Sequence, residues 1–252
     1  MEKNSRLGIL GCGWLGKELA IGLVKDGFLV KGSTTREEKL SELQGLGIES
    51  FAFRLNQLTK ESIDFFKVDT LIIAITSKDI HGYMHLVKII EASPISRVIF
   101  ISSTSVYGKV DGEHTEESPV IKSPLSEIEK VFIASTVPTT IVRFGGLVGY
   151  DRQPGKFFSG RTIPNPGGVV NLIHRDDCLL AIRTLLDKGI TNEIFNVCAS
   201  EHPQRGEFYQ QATADLGLDP AKITPTEDTV TSMVNSDKLE AHTGLRFDLR
   251  IN

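Results

Sequence analysis

The stretch RLGILGCGWLGKELAIGLVKDG, Arg6–Gly27, decides the fold. A short apolar run (Leu7, Ile9, Leu10) reads as a buried strand. Leu15, Leu19 and Leu23 recur at helical spacing just beyond it. Between them Gly11, Gly13 and Gly16 make a G-x-G-x-x-G pattern in the strand-to-helix context that gives it meaning. Gly11 suits a tight turn, Gly13 lets a pyrophosphate approach the backbone, and Gly16 lets the helix pack close to the sheet. Trp14 and Leu15 open the helix, whose N-terminal N–H groups suit phosphate oxygens. A dinucleotide site at Gly11, Gly13, Trp14, Leu15 and Gly16 follows, and Cys12 between the glycines reads as a small filler.

Working outward, apolar runs bounded by turn residues alternate with amphipathic stretches along the chain. Strands are predicted at Arg6–Leu10, Phe28–Ser33, Thr70–Thr76, Arg97–Ser102, Thr139–Phe144 and Glu193–Val197. Helices are predicted at Trp14–Lys25, Lys39–Leu46, His81–Ala92, Ser126–Ala134, Asp177–Leu186 and Gly206–Leu216. The fold class is therefore α/β, a Rossmann-type doubly wound parallel sheet. Residues 1–148, with 169–198 returning to them, form its core. Residues 149–168 and 199–252 break the rhythm and are assigned to a small interleaved substrate lobe.

The second strand runs into VKGSTTRE. Where a carboxylate would ordinarily take the ribose hydroxyls of NAD, the chain offers Thr34, Thr35 and Arg36. Hydroxyls and a guanidinium suit a 2′-phosphate, so NADP is favoured over NAD. Glu37 or Glu38 turned inward would reverse that preference. Ile75 and Thr76, at the end of the third predicted strand, would line the cofactor.

A net charge of −4 over 252 residues, 40% of them hydrophobic, gives no basic stripe for nucleic acid. No apolar run reaches the roughly 20 residues that span a bilayer, and the N-terminus carries no secretory apolar core. A cytoplasmic location is therefore expected, and three scattered cysteines suggest reduced thiols. His81 and His85 share a helix face but lack a third ligand, so no metal is expected.

Four further motifs, FISSTSVYG (Phe100–Gly108), IVRFGGLVG (Ile141–Gly149), NLIHRDD (Asn171–Asp177) and EIFNVCA (Glu193–Ala199), line up with the glycine loop. In order and spacing they resemble the extended short-chain dehydrogenases/reductases. The chain is most similar to the atypical branch of NAD-dependent epimerase/dehydratase-like proteins, the YeeZ-like group. The resemblance implies oxidoreduction, epimerisation or dehydration of a small or sugar-like substrate. It implies that Ser103 hydrogen-bonds the reacting oxygen, that Asn171 or His174 contacts the substrate, and that the helices His81–Ala92 and Ser126–Ala134 form a homodimer face.

The family's acid–base pair, a Tyr followed four residues later by a Lys, is absent from PVIKSPLSEIEKVFIAS. With Glu129 as the helix glutamate, Ile121 and Leu125 stand at the pair. With Lys130 as the lysine, Ser126 stands at the tyrosine. Substitute acids are Ser103, Tyr107, Glu113, His114, Glu116 and Glu117, although for each of the last four taken singly a solvated loop is the favoured reading. Asp176 or Asp177 reads as an N-cap, and Arg205 and Lys238 as groups for an anionic substrate or for solvent. The alternative to an enzyme is a catalytically inactive NAD(P)-binding sensor or regulatory protein.

Overall fold

The computed structural model describes residues 5–57, 60–224 and 229–251. Strand β1 (Arg6–Leu10) buries Leu7, Ile9 and Leu10 completely and leads into α1 (Gly16–Lys25). That helix buries Gly16, Leu19, Ala20 and Leu23, the stripe that seats a helix against a sheet. There follow β2 (Leu29–Thr34), α2 (Leu40–Gly45), β3 (Glu49–Ala52), α3 (Lys60–Phe65), β4 (Thr70–Ile73), α4 (Ile80–Glu91) and β5 (Arg97–Ser103). Next come β6 (Gly112–His114), α5 (Pro124–Ile133), β7 (Thr139–Phe144), β8 (Gly146–Val148), β9 (Thr162–Ile163), β10 (Leu172–His174) and α6 (Arg175–Asp187). The chain ends with β11 (Ile194–Val197), α7 (Arg205–Asp215), β12 (Lys222–Ile223), β13 (Ser232–Val234) and α8 (Asp237–Thr243).

Seven strands form the central parallel sheet in the order β11-β7-β5-β4-β1-β2-β3. Leu7 of β1 sits between Val30 of β2 and Thr70 of β4. The chain winds outward from β1 to β3 and then reverses to β4 on the other side of β1. The ends of β1 and β4 are thus a topological switch point, where open α/β sheets hold ligands. This is the doubly wound α/β architecture expected from the sequence.

Several boundaries differ from the expectation for local reasons. Helix α1 begins at Gly16 rather than Trp14, because the glycine loop is still turning. Strand β4 stops at Ile73 rather than Thr76: the Ala74 N–H still bonds the Leu10 carbonyl at 2.8 Å, and then the chain leaves the sheet. Strand β3 was not expected; it is a short edge strand, half-buried in its middle and exposed at both ends, without the apolar run that marks a core strand.

The chain forms two compact units. The first comprises Met1–Ser102, Lys122–Val142 and Arg183–Ile194. Its core sets Phe66 edge-to-face with Phe53 and Phe65, and stacks Phe100 on Phe132 at 4.5 Å with Tyr83 edge-on to both. The second comprises Ser103–Ile121, Arg143–Ile182 and Phe195–Asn252. It packs Val148, Ile163, Val170 and Leu172 with Tyr209, whose ring meets Phe158 edge-on at 4.6 Å. Residues 149–168 and 199–252 fall in this second unit together with 103–121, 143–148, 169–182 and 195–198, stretches assigned from sequence to the core; residues 225–228 and 252 lie outside the described residues. No helix among the described residues is long and apolar enough to cross a membrane.

Candidate functional site

The glycine loop is built from its backbone outward. Gly11, at φ +107°, donates its N–H to the Ser33 hydroxyl at 3.0 Å, and the Cys12 N–H bonds the Ser33 carbonyl at 2.7 Å. Ser33 on β2 therefore pins the turn, a role the sequence reading missed. A Cβ on Gly11 would stand 2.6 Å from Ile75 Cγ2, and one on Gly16 would collide with the Gly11 carbonyl oxygen. Gly13 differs: nothing lies within 4 Å of where its Cβ would be. Protein packing requires glycine at Gly11 and Gly16, whereas at Gly13 it leaves a vacant approach to the backbone. Leu15 is buried, Trp14 half-buried, and α1 begins without a side-chain cap. Burial pushes the Cys12 thiol up to about 12, so it stays protonated.

At the end of β2, Thr34 is buried and its hydroxyl accepts the Arg36 N–H at 3.2 Å, while Thr35 and Arg36 are exposed. Glu37 and Glu38 lie exposed in the short 3-10 turn that follows. Arg54, just beyond β3, donates from Nη2 to the Thr35 carbonyl at 3.1 Å. The nearby Glu42 carboxyl is held below its usual range by Lys17, 3.0 Å away, with help from Lys39 and Arg36. Ile75 is half-buried, with its carbonyl held by the Tyr83 hydroxyl at 3.1 Å, and Thr76 is exposed.

In the second unit Ser103 ends β5 and caps the 3-10 turn Thr104–Tyr107, its hydroxyl accepting the Ser105 N–H at 3.2 Å. That bond uses an oxygen lone pair and leaves the O–H as a donor. Tyr107, four residues on, is buried. Its hydroxyl donates to Asn196 Oδ1 at 2.8 Å and accepts from Arg143 Nη1 at 2.8 Å. Burial raises its pKa, with the Arg143 guanidinium opposing that shift.

The polar segment after Tyr107 is more ordered than a solvated loop. His114 is buried, stacks on Tyr107 at 5.1 Å and shares a hydrogen bond with the Val110 carbonyl. Glu116 accepts the Asn196 N–H at 2.7 Å, Glu113 accepts from Asn235 Nδ2 at 2.7 Å, and Glu117 is exposed. The order comes from β6, which pairs with β13.

Both registers of the missing pair fall on helix α5 or just before it. Ser123 caps it and forms a reciprocal capping box with the buried Ser126, and exposed Lys130 pairs with Glu127 at 2.8 Å. Ser126 and Lys130 are thus committed to building the helix. In the other register, Leu125 packs against the first unit's core and Ile121 stands against Gly108. Neither register restores the Tyr–Lys pair.

Asn171 donates to the Ser232 carbonyl at 2.8 Å and accepts the Val234 N–H at 2.9 Å, pinning β13 with both ends of its amide. His174 is buried and its Nδ1 accepts the Asp176 N–H at 3.2 Å; the ring caps α6, and Asp176 and Asp177 fall in the first turn rather than at the N-cap. Asp177 instead pairs with Arg250, and Asp176 accepts from the Tyr150 hydroxyl. Burial lowers the His174 pKa, partly offset by Asp176. Arg205 bonds the Pro164 carbonyl at 3.0 Å beside Tyr209, and Lys238 lies over the Phe195 ring. His81 and His85 are exposed on α4, and among the described residues no three His, Cys, Asp or Glu side chains gather as a metal site.

No family model matches the chain. Among solved structures it is similar to a short-chain dehydrogenase/reductase superfamily protein from Agrobacterium tumefaciens with bound NAD, at a TM-score of 0.79 and 17% identity over 97% of this chain and 93% of that one. It is similar also to the Bordetella bronchiseptica enzyme WbmG in complex with NAD and UDP, at a TM-score of 0.79 and 18% identity over 98% and 91% of the two chains. Protein YeeZ of Escherichia coli (strain K12) is 36% identical over 244 residues, covering 89% of this chain and 88% of YeeZ. With that identity over that span, the chain belongs to the YeeZ family.

Proposed function

We propose that the chain binds a nicotinamide dinucleotide, NADP in preference to NAD, and acts as an oxidoreductase or epimerase/dehydratase on a small or sugar-like substrate. The observation that carries this reading is the vacant approach to Gly13, flanked by two glycines that the packing itself demands. A pyrophosphate fits there, beside the uncapped start of α1. The NAD of one structural neighbour and the NAD and UDP of the other support the same ligand class. Thr34, Thr35 and Arg36 would hold the adenosine end, and Ile75 and Thr76 would line the cofactor.

When bound, the nicotinamide would supply hydride chemistry, while the protein orients the substrate. Ser103, with its O–H still available, would hydrogen-bond the reacting oxygen. Asn171 and Tyr107 would act indirectly, because their polar atoms are engaged within the second unit, whereas His174 is held through Nδ1 and keeps a buried Nε2 without a hydrogen-bond partner among the described residues. Buried thiols fit a reducing, cytoplasmic setting. Exposed Met84 on α4 and Ile133 on α5 suit a homodimer, which light scattering would test.

The second reading, a catalytically silent sensor, is favoured by the apolar Ile121 and Leu125. Calorimetric titration with NADPH and NADH, followed by turnover on a carbonyl and nucleotide-sugar panel, separates the two. An enzyme turns over and Ser103→Ala abolishes turnover while keeping cofactor affinity. A sensor binds and never turns over, and a chain that binds neither nucleotide refutes both readings.

A further inference from the structure

Strand β3 brings an arginine to the same edge as the Thr34–Arg36 loop. It runs parallel to β2 with Ala52 beside Thr34, and the Phe53 N–H extends the pairing to the Thr34 carbonyl at 2.9 Å. Arg54 comes next. A tight turn, closed by the Gln57 N–H on the Arg54 carbonyl at 2.9 Å, fixes its backbone. Its guanidinium bonds the Thr35 carbonyl at 3.1 Å, which spends one of five N–H groups. The Thr34 hydroxyl meanwhile fixes the backbone of Arg36. Both arginines are exposed, and among the described residues neither pairs with a carboxylate.

We propose that Arg54 and Arg36 form a two-guanidinium clamp for a phosphate monoester dianion, making Arg54 a specificity residue for a 2′-phosphorylated dinucleotide. This rests on the NADP reading above. A phosphate monoester offers three acceptor oxygens and nearly two negative charges, more than one exposed guanidinium satisfies. Arg54 follows β3 and Arg36 follows β2, so the two approach the ligand from separate backbones. If Arg54 only tied the loop to the sheet edge, a neutral donor at that position would serve as well.

The test compares Arg54→Gln, which keeps a donor for the Thr35 carbonyl and loses the charge, with Arg36→Gln. The probes are NADPH, NADH, 2′,5′-ADP and 5′-AMP, titrated calorimetrically. The wild type should prefer NADPH and 2′,5′-ADP over their unphosphorylated counterparts. Arg54→Gln should weaken NADPH and 2′,5′-ADP tenfold or more while moving NADH and 5′-AMP less than twofold, the latter pair also showing that the variant is folded. Equal weakening of all four probes, or of none, overturns the clamp. Loss of phosphate selectivity in Arg36→Gln but not in Arg54→Gln overturns the clamp alone and leaves the NADP reading standing. A wild type indifferent to the 2′-phosphate overturns both.

Discussion

The Tyr107 hydroxyl donates to Asn196 Oδ1 at 2.8 Å, joining two residues 89 positions apart in a buried hydrogen bond. Arg143 completes the arrangement by donating to the same hydroxyl. Tyr107→Phe keeps the ring and its stacking on His114 but leaves a buried amide oxygen and a guanidinium N–H without this partner. The expected cost is about 1–3 kcal/mol, read from urea unfolding. NADPH affinity should be unchanged, and a variant as stable as the wild type would show the hydroxyl to be dispensable.

The three glycines of the loop should separate stability from binding. Gly16→Ala pushes a methyl into the Gly11 carbonyl and should destabilise by about 1–3 kcal/mol. Gly13→Ala meets no protein atom and should melt like the wild type, yet lose NADPH affinity tenfold, about 1.4 kcal/mol. If Gly13→Ala melted as low as Gly16→Ala, the vacancy would be structural rather than a ligand's.

His174 makes stability depend on pH with a definite sign. Its folded-state pKa lies below the unfolded value, which is about 6.5. Above that pH both states are neutral and the linkage costs nothing. As pH falls below about 6.5 the unfolded chain takes up a proton that the folded chain resists, so stability declines. Half-buried His202, lowered for the same reason, adds to the slope. His174→Asn retains an acceptor for the Asp176 N–H and removes one titration. Its melting temperature should therefore fall less steeply than the wild type's between pH 7.5 and 5.5. Parallel curves would count against His174 as the source.

Lys130→Ala tests whether the family's lysine survives one turn along α5. The side chain is solvent-exposed and, among the described residues, pairs with its helix neighbour Glu127, an arrangement worth roughly 0.3–0.5 kcal/mol. Stability should barely move, and turnover on any substrate found should stay within about twofold, below the ~1.4 kcal/mol that a tenfold loss represents. A hundredfold loss would restore Lys130 to the site.

What could be read from residues alone was whatever local chemistry dictates. The glycine spacing, the apolar strands and the hydroxyl-arginine end of β2 each follow from neighbours in sequence. The capping box was also legible in principle, because Ser123 and Ser126 stand at the required spacing before an apolar run. Noticing it would have taken Ser126 out of contention for the tyrosine position. Arg54 was not legible: its meaning depends on an edge strand that buries too little to leave a pattern, and on which strand it pairs with. His114 was misleading for a similar reason. A histidine amid Asp, Glu and Thr looks solvated until β13, more than a hundred residues later, covers it.

The two compact units have an unusual pedigree on paper: each is stitched from three separate stretches, and the chain changes allegiance five times between Met1 and Asn252. No single truncation can therefore excise either one intact, and no one crossover between two genes could exchange one for a homologue's. A ribosome, likewise, cannot deliver the glycine-loop unit complete until residue 194 has emerged, so the contacts of its last stretch must wait on about half of the other unit's sequence.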